Sequence, residues 1–233
     1  MMKVLVLDLW GDYAHFRKYF TTSSPLTFAF PPKTALYGIV SAIIGLDKNE
    51  YLKYFQNKKC KIAIRILNPI KKTRISINYI DTKIAVDMGG IRGRTQVNLE
   101  VLKDVKYRIY FYHEDNELQE KLKTFLKEHK NVYTISLGLS EFIANFSYIG
   151  EYRAKEINEG KMAEIHSIIP FNEDIKIKFD SDREYLKDTV YKKMNEGREV
   201  TEYIRVLFER KGNSITSTIP HHLLESGERI VFI

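Results

Sequence analysis

Short apolar runs and two helical stripes punctuate this chain of 233 residues. Lys3 to Leu9 (KVLVLDL) is dominated by valine and leucine, the pattern of a strand buried on both faces. A polar and aromatic stretch from Trp10 to Phe30 reads as a loop. Pro31 and Pro32 then open a helix, because proline suits the first turn, where amide donors lack partners. Leu36, Ile39, Val40 and Ile43 recur at helical spacing and form its apolar stripe. Gly38, Ala42 and Gly45 lie on a neighbouring face and leave room for close approach by the sheet or by a ligand backbone. Cys60 to Leu67 and Lys106 to Tyr112 read as strands. Leu118, Leu122, Phe125 and Leu126 mark a second helix, capped by Asp115 or Asn116. Val132 to Ser136 reads as a short fourth strand. The order predicts an α+β chain built on a ferredoxin-like βαββαβ unit.

That unit needs a short hairpin between its second and third strands, yet 36 residues, Asn68 to Lys103, intervene. Connections of this length are usually functional or disordered. The segment holds Lys71, Lys72, Arg74, Lys83, Arg92 and Arg94 and a glycine-rich stretch at 89–94, and it reads as a basic arm projecting from the sheet. After Gly138 the pattern changes. Glu141 to Arg153 and Ala163 to Ile169 read as strands, and Asp182 to Asn195 as a helix. Gly212-Asn213 reads as a hairpin turn between Glu199–Arg210 and Ser214–Thr218. Arg229 to Ile233 reads as a last strand. The expected division is a ferredoxin-like region at 1–137, with the arm inserted at about 71–103, and a β-rich region at 138–233 packed on it.

Composition narrows the class. With 44% hydrophobic and 12% aromatic residues the chain is neither disordered nor of low complexity. The longest uncharged apolar helix, Thr34 to Leu46, is too short for a bilayer, and Asp8 interrupts the N-terminal run, so neither membrane nor secretion is expected. The lone Cys60 fits a reducing, cytoplasmic setting. The formal charge of +7 is unevenly placed: residues 51–110 carry 14 basic and 4 acidic side chains, while 111–233 carry 18 and 22. A concentrated basic segment attracts polyanions, of which nucleic acids are the commonest inside cells.

The six histidines are scattered and no Cys/His spacing suits zinc, so no metal or other cofactor is expected. No phosphate-binding loop, dinucleotide fingerprint or serine nucleophile elbow is present. Anion binding has two candidate places. Lys33 and Thr34 stand in the first turn of a helix, where free amides and the dipole favour phosphate. On the arm, Arg92 and Arg94 can hold phosphate bidentately. The βαββαβ plan is also that of RNA-recognition modules, but the third strand lacks the glycines that precede their stacking aromatics. Tyr107, Ile109 and Phe111 are expected in the core, and Arg108, Tyr110 and Tyr112 under the C-terminal part.

Several motifs together resemble the fifth Cas family of CRISPR-associated proteins, within the RAMP superfamily and in its type I-B form. They are Lys3–Trp10 with Gly11, Asp12 and His15, then Thr22-Ser23-Ser24-Pro25-Leu26, then Phe30-Pro31-Pro32-Lys33-Thr34 with the helix to Gly45-Leu46. Arg94-Thr95-Gln96 and Leu137-Gly138-Leu139-Ser140-Glu141-Phe142 add to them. The resemblance implies a subunit of the Cascade surveillance complex in antiviral defence. It would hold the 5′ handle of the CRISPR RNA, cap the backbone filament, touch the large subunit and meet target DNA only indirectly. On that basis Lys33 and Thr34 become handle-phosphate ligands, and Lys71, Lys72, Arg74, Arg92, Arg94 and Gln96 belong to a thumb at 71–103. Gly138 lets RNA approach, and Arg17 and Lys18 extend the site.

Relatives of type I-C cleave repeat RNA without metal, which requires a base for the 2′-hydroxyl and a cation for the developing charge. They resemble one another in a tyrosine with an adjacent Lys-His pair. This chain has no Lys-His dipeptide; His129-Lys130 is reversed, and His15 with Tyr37 and Lys33 is the other combination available. A non-catalytic RNA-binding subunit is therefore the expectation, with a repeat-processing endoribonuclease as the alternative and an RNA-free interaction module as the third reading.

Overall fold

The valine- and leucine-rich start forms a longer strand than its apolar run indicates. In a computed structural model that describes residues 2–21, 23–55, 59–80 and 93–233, β1 spans Met2–Ala14, because both of its edges are paired. It lies between β4 (Arg94–His113) and β5 (Asn145–Ile157), antiparallel to both. β2 (Cys60–Ile66) pairs with the far half of β4. β12 (His221–Leu224) and β13 (Arg229–Ile230) continue beyond β5, giving the order β13-β12-β5-β1-β4-β2.

α1 (Lys33–Ile44) follows Pro32 and ends at Gly45, whose φ of 77° is the left-handed cap that glycine allows. Leu36, Ile39, Val40 and Ile43 are all buried, as their spacing predicts. α2 is one short turn, Tyr51–Phe55. α3 (Asn116–Lys127) is capped by the Asp115 carboxylate, which accepts from the amides of Glu117 and Leu118. Tyr107, Ile109 and Phe111 enter the main core against these helices. On the opposite sheet face Tyr110 is buried among Val4, Val6, Ala63, Ala154, Leu224 and Ile230, so the C-terminal strands cover it.

The structure corrects three expectations and gives the arm its form. Val132 to Ser136 is not a strand. Its amides instead close the end of α1, Val132 N–H donating to Ile43 (3.1 Å) and Tyr133 N–H to Ala42 (2.9 Å), and β5 takes the place beside β1. Over its described residues the basic arm is a ribbon: β3 (Lys72–Ile80) pairs residue by residue with the first part of β4, from Lys72↔Leu102 to Ile80↔Arg94. The alternation of Ile75, Ile77 and Tyr79 with Arg74, Ser76 and Asn78 carried that signal. The expected helix at 182–195 is β9 (Tyr185–Met194), paired with β10 (Val200–Glu209). Tyr, Thr and Val there favour a pleated surface, and a distant partner strand decides the outcome. Finally, Gly212-Asn213 joins two sheets rather than a hairpin. β10 pairs β7 (Ile169–Pro170) and β9, whereas β11 (Ile215–Ser217) pairs β6 (Ala163–Ile165) and β8 (Ile177–Lys178).

The β7-β10-β9 sheet closes over the N-terminal part. Val190, Val206 and Phe208 join the main core, and Phe208 meets Phe30 edge-on at 5.3 Å. Among the described residues no helix is long and apolar enough to cross a membrane.

Candidate nucleic-acid interface

The arm is a two-stranded ribbon whose second strand is the continuation of a central sheet strand. Register pairs share a face, so Arg74, Ser76, Asn78 and Ile80 stand opposite Glu100, Asn98, Gln96 and Arg94 on one side. Apart from Ile80 at its outer end this face is polar and mostly exposed, and Ser76 Oγ bonds across it to Asn98 Oδ1 at 2.7 Å. Arg74 and Arg94 make no ion pair with any described residue. The cations at the arm's base differ: Lys71 pairs with Asp104 (3.2 Å), and Lys72 with Glu100 (2.9 Å) and the Thr27 carbonyl (3.0 Å). Burial pushes the Glu100 carboxyl up, but the Lys72 and Thr27 hydrogen bonds outweigh it and hold the group below its usual range. Arg92, Lys83 and the glycines at 89–90 lie outside the described residues.

The other face of the ribbon turns toward a cleft of about 420 Å³, reached by Tyr79 and Leu99. Arg17, Thr34 and Gly138 line it, as do His15, Tyr191 and Arg198, which the sequence alone did not join to them. His15 is anchored twice: its amide donates to Leu137 (2.9 Å) and its Nδ1 lies 2.8 Å from the Glu100 carbonyl oxygen. Burial lowers its pKa. Gly138 has φ of 100°, and a Cβ there would lie 1.8 Å from the His15 oxygen, so its close approach is to this chain's own backbone. Arg198, at a positive φ of 62° in the Asn195-Glu196-Gly197-Arg198 turn, donates to the Lys48 carbonyl (2.8 Å) and lies 6.0 Å from the Tyr51 ring. That turn sequence was the available signal for it.

Two other expected ligands are engaged elsewhere. Lys33 Nζ donates to the main-chain oxygen of Ile233 at 2.7 Å, and burial lowers its pKa. Lys18 pairs with Asp188 and lies over Phe28. Of the residues weighed for cleavage, Lys33 lies 6.0 Å from the Tyr37 ring, but its ammonium is bonded to Ile233. Tyr37 is buried and stacks on Phe55 at 4.8 Å, His129 stacks on Phe146 at 4.8 Å, and Lys130 pairs with Glu128 at 2.8 Å. Burial raises the Cys60 thiol to about 12. Among the described residues no group of three or more His, Cys, Asp or Glu side chains could hold a metal ion.

Residues 4–195 match the profile of a family described as CRISPR-associated protein (Cas_Cas5). The chain belongs to this family. Its fold is also that of a CRISPR protein from Archaeoglobus fulgidus, with 13% identity over 99% of both chains and a TM-score of 0.61. A chain of a CRISPR RNA-guided surveillance complex is similar over 97% of this chain and 92% of its own, at 12% identity and a TM-score of 0.51. Curated proteins gave no match. Membership of the Cas_Cas5 family agrees with the motif resemblance at the N-terminus and around Gly138, whereas the likeness to the two structures speaks for the fold alone.

Proposed function

We propose that this Cas_Cas5 protein is a non-catalytic, cytoplasmic subunit of a type I, I-B-like, Cascade complex that holds the 5′ handle of the CRISPR RNA and caps the backbone filament. The exposed polar face of the arm carries this reading, since Arg74, Gln96 and Arg94 share it and neither arginine is paired with a described residue. Unpaired guanidiniums on a hydrogen-bonded ribbon are suited to phosphate, and the adjacent cleft adds Arg17 and Arg198. The strand order β5-β1-β4-β2, with α1 and α3 on one face, supports reading residues 1–137 and β5 as a ferredoxin-like unit with the ribbon as its thumb. Its usual open sheet face is covered here by β12 and β13, which directs RNA to the arm and cleft instead.

The test incubates the purified chain with its organism's CRISPR repeat RNA in EDTA, with denaturing and native gels run in parallel at low and high salt. Intact RNA whose shift weakens steeply with salt is the expected result. Specific cleavage leaving a cyclic phosphate would make the chain a processing nuclease and overturn the proposal.

A further inference from the structure

Beside the cleft, rings from the first loop and the β9–β10 ribbon form a patch that the arm-based reading does not use. Tyr191 and Tyr203 are opposite each other in the β9–β10 register. Tyr19 meets Tyr203 at 4.9 Å and Tyr191 at 6.1 Å between ring centroids, and Phe20 meets Tyr19 edge-on at 5.2 Å. These are the spacings of interacting aromatic pairs. Tyr191 fixes the group, since its hydroxyl donates to the Arg17 carbonyl (3.0 Å) and its ring stands edge-on to buried Phe28 at 5.3 Å. The outer rings are open: Tyr19 is 50% exposed, Phe20 58% and Tyr203 47%.

We infer that Tyr19, Phe20 and Tyr203 form a stacking platform for unpaired RNA bases. The inference rests on the RNA-binding reading above and extends it from phosphate contact to base contact. Three observations favour bases over a protein partner. The exposed members of the cluster are rings, which every base can stack on. The patch is continuous with the candidate interface, because Arg17 and Tyr191 both line the cleft and are hydrogen-bonded to each other. Charge surrounds it in the right sense: Arg205, two residues along β10 from Tyr203 and on its face, is exposed and pairs with no described carboxylate. A backbone gripped by the arm and by Arg17 and Arg205 would turn its bases onto this surface.

The experiment compares single-stranded RNAs of the repeat-derived handle sequence, one intact and a set in which each base in turn is replaced by an abasic ribose. All carry the same phosphates, so their affinities differ only through base contacts. The full chain, the doubly substituted Tyr19→Ala/Tyr203→Ala variant and the Tyr19→Phe/Tyr203→Phe variant are titrated with each strand, and thermal midpoints verify that all three fold alike. We expect at least one abasic position to weaken binding to the native chain about tenfold. The alanine variant should lose that discrimination and the phenylalanine variant keep it, because the ring and not the hydroxyl stacks. Equal, salt-sensitive binding of intact and abasic strands would overturn the platform while leaving the RNA reading in place. Equal RNA binding by the native chain and alanine variant, with loss of co-assembly by the latter, would make the patch a protein contact and also overturn it. Absence of binding to any strand at any salt would overturn the functional reading itself.

Discussion

The cations of the arm and those of the body have opposite fates. In the body, several positive side chains are held by internal partners. Arg108 bonds to Asp8 at 2.8 Å, Arg65 bonds to Glu228 at 2.7 Å, Lys18 pairs with Asp188, and Lys33 caps the Ile233 oxygen. On the outer arm, Arg74 and Arg94 face solvent without a described partner. The difference teaches that a basic composition measures attraction only after internal neutralisation has been subtracted. A cation with a desolvated internal acceptor contributes to stability, and one on an exposed ribbon contributes to long-range electrostatics. Substitutions in the two regions should therefore separate stability from RNA affinity.

The largest stability effect is expected at Gly138→Ala, where a positive φ and overlap with the His15 oxygen act together. The cost should be about 3 kcal/mol, read from denaturant unfolding; a change near zero would mean that the loop at 138 does not press on the backbone at His15. Next comes Glu228→Gln. Its carboxylate accepts from Tyr110 (2.9 Å) and Arg65 (2.7 Å) and also lies 3.3 Å from Arg108, so the loss should be about 2 kcal/mol.

Glu228 also carries a pH signature. Burial raises its carboxyl, but the Tyr110 and Arg65 hydrogen bonds and the guanidinium charges prevail and depress it below the ordinary 4.5. A depressed acid stabilises the fold above the unfolded value, and that contribution disappears as pH falls through the folded one. Burial likewise lowers His15, His166 and His222 below 6.5, so the folded chain binds fewer protons than the unfolded one. Stability should decline as pH drops below 6.5, and the decline should steepen below 4.5, where native chain and Glu228→Gln converge. Thermal melts across that range test both steps.

Lys33→Met sharpens the comparison from the body's side. Loss of the bond to Ile233 should cost about 1 kcal/mol and leave the salt dependence of RNA binding unchanged. A flatter salt dependence would return Lys33 to the RNA interface. Smallest in stability is the pair Arg74→Ala with Arg94→Ala, expected to lie within about 0.5 kcal/mol of the native chain. The same pair should lower the slope of log affinity against log salt by about 2, one for each phosphate the variant no longer neutralises. An unchanged slope would break the comparison.

Much of this was legible in the sequence because it depends on neighbours along the chain. The stripe Leu36, Ile39, Val40 and Ile43 defines α1, Asp115 caps α3, and the alternation of Tyr107 to Tyr112 divides β4 between two cores. The motifs from Lys3 to Leu46 carry the family, since they do not depend on how distant segments meet. The charge excess between residues 51 and 110 also marked the arm as the basic element.

Tertiary structure alone decided what requires a distant partner. β9 is a strand because β10 is available to pair with it, against a local pattern that reads as helix. Val132 and Tyr133 cap α1 instead of joining the sheet, because the unbonded carbonyls at the end of that helix are the nearer acceptors. Lys33 and Lys18 become internal because Ile233 and Asp188, far away in sequence, are brought to them. For the same reason Tyr19, Tyr191 and Tyr203 meet as one surface only when the ribbon folds back over the first loop. Helical periodicity and caps are local and can be read from the chain, whereas the partner of a strand or a charge is chosen by the closure of the whole fold.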